Sequence, residues 1–122
     1  MARSVELLAQ VVGSADRVLL IVGPDYDARH REMSEVLAEE RDRESIDGLV
    51  IALDTLDADA MDWTTPGGPS LVFLEDRAVL ATVACVLPDY VRCPALWAGD
   101  RKLLHPDRLA AWLSQHGQPP GR

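Results

Sequence analysis

Residues 70–84, "SLVFLEDRAVLATVA", constrain the fold more than any other stretch. Two apolar runs, 70–75 and 78–84, flank a two-residue break at Asp76-Arg77. Apolar β-prone runs separated by so short a break read as an antiparallel hairpin. The chain therefore contains a sheet, and the remaining elements are read around it.

Residues 17–23, "RVLLIVG", form a continuous apolar run bounded by Gly-Pro and read as a strand buried on both faces. Before it, Val5, Leu7, Leu8, Val11 and Val12 fall on one helical stripe that Gly13-Ser14 ends. After it, "DARHREMSEVLAEERD", 27–42, reads as a helix. Met33, Val36 and Leu37 form its inner face, and Glu39 and Arg43 sit at i,i+4 in the favourable order outside. "LVIALD", 49–54, reads as a second buried strand. "TLDADAMDW", 55–63, reads as a short helix capped by Thr55 or Asp57.

Residues 85–104 are broken by Pro88, Pro94 and Gly99-Asp100, with "ALWAGDRKLL" as a small extra hairpin. Pro106 stands at the first position of a closing helix whose inner face is Leu109, Trp112 and Leu113. The expected order is α-β-α-β-(α)-β-β-α. Its first two strands are joined through a helix, hence parallel and right-handed. No repeat or linker interrupts it, so one α/β domain over 1–116 is expected, with a flexible tail at 117–122.

A net charge of −8 gives no electrostatic footprint for phosphate backbones or anionic membranes, so nucleic acid and membrane are not expected partners. No apolar run approaches the roughly 20 residues of a membrane span. The N-terminal helix carries Glu6 and reads as a surface helix rather than a signal peptide, which gives a cytoplasmic expectation. Arg in place of Lys, with Lys102 the single lysine, suggests a GC-rich bacterial genome. Cys85 and Cys93 are separated by seven residues, a C-x7-C spacing that matches no common zinc site. No metal and no cofactor are expected.

The run "VLLIVGPDYDARHREMSEVLAEE", 18–40, resembles the thioredoxin-like family in its order of apolar strand, short loop, aromatic, motif and helix. "GGPSLVFLEDRAVLATVACV" resembles that family's stretch around its cis-proline and terminal hairpin, and "LHPDRLAAWLSQH" its closing helix. The resemblance implies a three-layer α/β sandwich, a mixed four-stranded sheet flanked by helices. It makes 86–103 an insertion before the last helix. It puts Tyr26 before the motif, Asp27 and His30 where the two redox cysteines stand, and Pro69 at the cis-proline.

Asp and His cannot attack a disulfide, so C-x-x-C exchange is excluded by the residues themselves. Asp27 reads as a helix N-cap or as an acid, base or ligand. His30, one turn on, reads as a surface histidine or as Asp27's partner. Cys85 and Cys93 read as reduced buried thiols, as a disulfide, or, for Cys85, as a reactive thiol. Trp63, Trp97 and Tyr90 either pack under the insertion or frame an apolar pocket.

The favoured function is a redox-inactive accessory or chaperone-type protein. Its binding residues would be Tyr26, Asp27, His30, Trp63, Gly68, Pro69, Tyr90 and Trp97. Similar family members without the cysteine motif act so in hydrogenase maturation. Acidity suits a basic or Arg-rich protein or peptide partner. The alternatives are an enzyme or small-molecule binder using Asp27 and His30 with an aromatic pocket, and single-thiol redox chemistry through Cys85. A homodimer is also open.

Overall fold

The computed structural model describes residues 4–22, 36–61, 69–86 and 89–116. Their elements are α1 (Ser4–Val12), β1 (Arg17–Ile21), β2 (Val36–Glu40), α2 (Arg43–Ala52), β3 (Thr55–Met61), β4 (Ser70–Glu75), β5 (Ala78–Val86), β6 (Tyr90–Arg92), β7 (Asp100–Leu103) and α3 (Pro106–Gln115). The strands form one seven-stranded sheet in the order β2-β1-β4-β5-β6-β7-β3. Every ladder among the described residues is antiparallel.

This corrects the expected architecture. The sheet is antiparallel and seven-stranded, where a mixed four-stranded sheet in a three-layer thioredoxin-like sandwich was expected. Residues 36–40 pair with β1 as a strand instead of continuing a helix from 27, and residues 27–35 lie outside the described residues. The expected Glu39–Arg43 helix pair is replaced. Arg43 bonds Asp47 at 2.6 Å one turn into α2, while Glu39 faces Arg41. The expected strand 49–54 falls mostly within α2. Its apolar residues continue the 3.6-residue stripe Ile46, Leu49, Leu53, all buried. Asp42 starts this helix by accepting the Ser45 N–H at 3.1 Å, so Gly48 sits inside the helix rather than before a strand. Residues 55–61, expected as a short helix, are the end strand β3.

The supposed insertion, 86–103, supplies β6 and β7, which are interior strands of the sheet. The extra hairpin exists with different partners: Tyr90–Arg92 pairs with Asp100–Leu103, and residues 95–99 make the bend, with Gly99 at φ 70°.

The hairpin at 70–86 forms as expected, Glu75 opposite Ala78 across Asp76-Arg77. The stripe of α1 buries Leu8 and Val12, and α3 buries Leu109, Trp112 and Leu113. The three helices among the described residues lie on one face of the sheet. They cover Val18, Leu20, Leu71, Phe73, Val83 and Cys85. Burial of each such large side chain contributes about 1.5–3 kcal/mol. On the opposite face Leu19, Ile21, Val72 and Leu74 form a second buried cluster. This explains why β1 and β4 read as unbroken apolar runs. No helix among the described residues is long and apolar enough to cross a membrane.

Candidate functional site

The antiparallel register decides which of the expected site residues meet. Pro69 is buried, and its carbonyl accepts the Cys85 N–H at 2.9 Å, so these two stand side by side across β4 and β5. Tyr90 lies opposite Val86 in the β5–β6 ladder, on the face of the sheet away from the Cys85 side chain. Trp97 lies in the connection between β6 and β7, donates its backbone N–H to the Cys93 carbonyl at 3.0 Å, and is 6% exposed within the core. Tyr26, Asp27, His30, Trp63 and Gly68 lie outside the described residues.

Cys85 and Cys93 are free and buried rather than disulfide-bonded. Cys85 faces the helices inside the apolar core, where desolvation pushes its thiol up to about 12. Burial also raises Cys93, partly offset by the backbone N–H groups of Leu96 and Ala95. A thiol so held is protonated and enclosed, the opposite of a nucleophile's surroundings.

The chemistry left to the described surface lies on the far side of the same strands. Val91 and Cys85 point to the core, so Tyr90 and Val86 point to the opposite face. Tyr90 pairs with Lys102, and Lys102 with Leu56. One row therefore crosses β6, β7 and β3 as Tyr90, Lys102, Leu56. Thr55 and Leu103, beside this row, are buried inward, which turns Leu56 and Leu104 outward. Leu104 donates its N–H to the Asp54 carbonyl at 2.9 Å, so Asp54 and Leu104 form the next row. Leu56 is 49% exposed and Leu104 42%.

The patch rests on a firm base. Two residues along, Arg92 bonds Asp100 through Nε at 2.6 Å and Nη2 at 2.9 Å, and Asp100 is 2% exposed. This bidentate pair fixes β6 against β7.

Two other polar clusters are engaged internally. His116 contacts Glu40 Oε1 through Nε2 and the Trp112 carbonyl through Nδ1, so both ring nitrogens are occupied. A cleft of about 400 Å³ is lined by Asp16, Arg17, Arg41, Asp76 and Arg77. There Asp16 accepts the Asp76 N–H, Arg17 donates to the Asp76 carbonyl, and Arg41 pairs with Glu39.

Leu56 and Leu104 are surface residues that the sequence does not single out. Reading 55–63 as a helix hid Leu56. Comparison with family models, with curated proteins and with solved structures finds no match to the chain.

Proposed function

We propose that the chain is a non-catalytic binding protein that takes an extended segment of a basic protein partner along the β3 end of its sheet. The observation carrying this reading is the outward apolar patch of Leu56, Leu104 and half-buried Tyr90 at an end strand. An end strand is where another chain adds by main-chain hydrogen bonding, with alternate side chains supplying selectivity. The partner's sign follows from charge. A domain at −8 attracts a cationic segment over long range and repels an anionic one. An end strand also suits a polypeptide better than a small molecule, which needs enclosure. An accessory role, holding an extended segment of a client, is the biological form of this chemistry.

Fluorescence anisotropy tests it, using a short labelled peptide of alternating Leu and Arg and its Leu-Glu counterpart. The Arg peptide is expected to bind, weakening as salt rises. Leu56→Arg should reduce its affinity by about tenfold or more, since it puts like charge on the patch. Val36→Arg, on the end strand at the other side of the sheet, should leave binding unchanged. Equal binding of the Arg and Glu peptides, or full binding by Leu56→Arg, would sink the reading.

A further inference from the structure

We infer that His116 and Glu40 form a proton-operated clasp, closed while the His116 ring carries a proton on each nitrogen and open when it gives one up. Nδ1 of His116 lies 2.7 Å from the Trp112 carbonyl oxygen, and Nε2 lies 2.9 Å from Glu40 Oε1. A backbone carbonyl only accepts hydrogen bonds, and so does an ionised carboxylate. Glu40 is held in its ionised form by the backbone N–H groups of Asp42 and Arg41, which donate to its other oxygen at 3.0 Å each. Both ring nitrogens must therefore donate at once. A neutral imidazole has one N–H, so only the imidazolium makes both bonds.

Two further features of the place favour that cation. His116 caps the C-terminus of α3, the negative end of the helix dipole, and no basic residue stands in the last turn before it. Its ring stacks on Trp112, centroids 3.7 Å apart and planes 16° from parallel, so the charge lies over an indole face. The neighbouring charged groups are engaged elsewhere or line a different surface. Glu39 of β2 pairs with Arg17 and Arg41, and Asp42 accepts the Ser45 N–H. On α2, Arg43 pairs with Asp47, while Glu44 and Arg108 line the groove between α2 and α3.

When the ring releases a proton to solvent, one of its two bonds must go, because a lone pair then faces an acceptor. The clasp is complete below the ordinary imidazole value of about 6.5 and is lost as pH rises beyond it. Its opening is local. Trp112 stays held through its indole N–H to Ser45, and Glu40 by the two backbone N–H groups. The part set free is the last turn of α3, which parts from the end strand β2.

Nuclear magnetic resonance on the full chain tests this. Ring-nitrogen shifts distinguish the two-proton ring from either neutral tautomer, and His116→Gln identifies its signals among the three histidines. Both nitrogens of His116 are expected to carry a proton at about pH 5.5, and one of them at about pH 8.5. Over the same step, exchange protection of the His116 amide, which donates to the Leu113 carbonyl, should fall about two- to tenfold, the equivalent of one lost hydrogen bond. Glu40→Gln separates the pair from its surroundings. A carboxamide can accept from the ring or donate to it, so both contacts persist in either ring state. In that variant the ring should lose its second proton at lower pH than in the parent, and the step in protection should vanish. A single protonated ring nitrogen at about pH 5.5, protection that does not change across the step, or a step that persists in Glu40→Gln would each overturn the clasp.

Discussion

His116 Nε2 lies 2.9 Å from Glu40 Oε1, and this contact ties the end of α3 to the end strand β2. The His116 ring stacks on Trp112, centroid to centroid 3.7 Å. The other Glu40 oxygen accepts the backbone N–H groups of Asp42 and Arg41, each at 3.0 Å. One carboxylate thus joins β2, the start of α2 and the C-terminus of α3.

That arrangement makes stability depend on acid. The Asp42 N–H first, then His116, Ser45 and the Arg41 N–H, hold Glu40 down from its ordinary value near 4.5 to about 2. A depressed folded-state value means the stabilisation is fully present above 4.5 and is lost as pH falls toward 2. Glu40→Gln is expected to cost about 1–2 kcal/mol at neutral pH, after allowance for solvent screening. The gap to the parent should close through that acid window. Urea melts across it measure this, and a gap that stays constant counts against the assignment.

The two buried indoles among the described residues predict losses of different size. Trp112 Nε1 donates to the Ser45 carbonyl and Oγ, both at 3.2 Å. Trp97 Nε1 is buried without a hydrogen-bond partner among the described residues. Trp112→Phe is expected to cost about 1–3 kcal/mol, because it strands the groups at Ser45 and loses ring area. Trp97→Phe removes an orphaned donor and should cost clearly less, since the relief offsets the lost area. Thermal melts of the two variants side by side decide it. A Trp97→Phe loss as large as that of Trp112→Phe would reveal a partner for the Trp97 donor.

At the tip of the β4–β5 hairpin Asp76 sits at φ 55°, a left-handed conformation that Asp tolerates and β-branched residues resist. Its N–H is held by the Asp16 carboxylate and its carbonyl by Arg17. Both contacts use backbone and survive substitution. Asp76→Gly is therefore expected to be neutral or stabilising, by up to about 1 kcal/mol, and Asp76→Val destabilising by about 1–2 kcal/mol. Denaturant midpoints that order Val above Gly would contradict this geometry.

Enclosure and a raised thiol should make Cys85 inert. Iodoacetamide at mildly alkaline pH is expected to leave Cys85 unmodified in the native protein and to label it fully in urea, as read by mass spectrometry. Rapid native labelling at Cys85 would restore single-thiol chemistry as a serious reading.

Parts of this fold were legible because local pattern and tertiary demand agree. The hairpin at Asp76-Arg77 needed only two apolar runs and a two-residue break. The closing helix needed Pro106 and the stripe Leu109, Trp112, Leu113. The errors arose where the two signals conflict. Residues 36–40 have helical spacing, but at the sheet's end they pair with β1, leaving Val36 and Leu37 outside. Residues 49–54 look like a strand by composition, yet Asp42 caps a helix that runs through most of them. The resemblance to the thioredoxin-like family depended on those two assignments, and the architecture it implied changed with them.

The candidate site divides in the same way. From residues alone came the exclusion of C-x-x-C exchange and the acidic character of the chain, because these follow from side-chain chemistry. Only the tertiary structure decided that Leu56 and Asp54 share an outward face, that Tyr90 and Lys102 share a row with Leu56, and that Cys85 and Trp97 turn inward. The physical reason is register. In a strand each side chain alternates between faces, and only the pairing across neighbouring strands says which face is core and which is water.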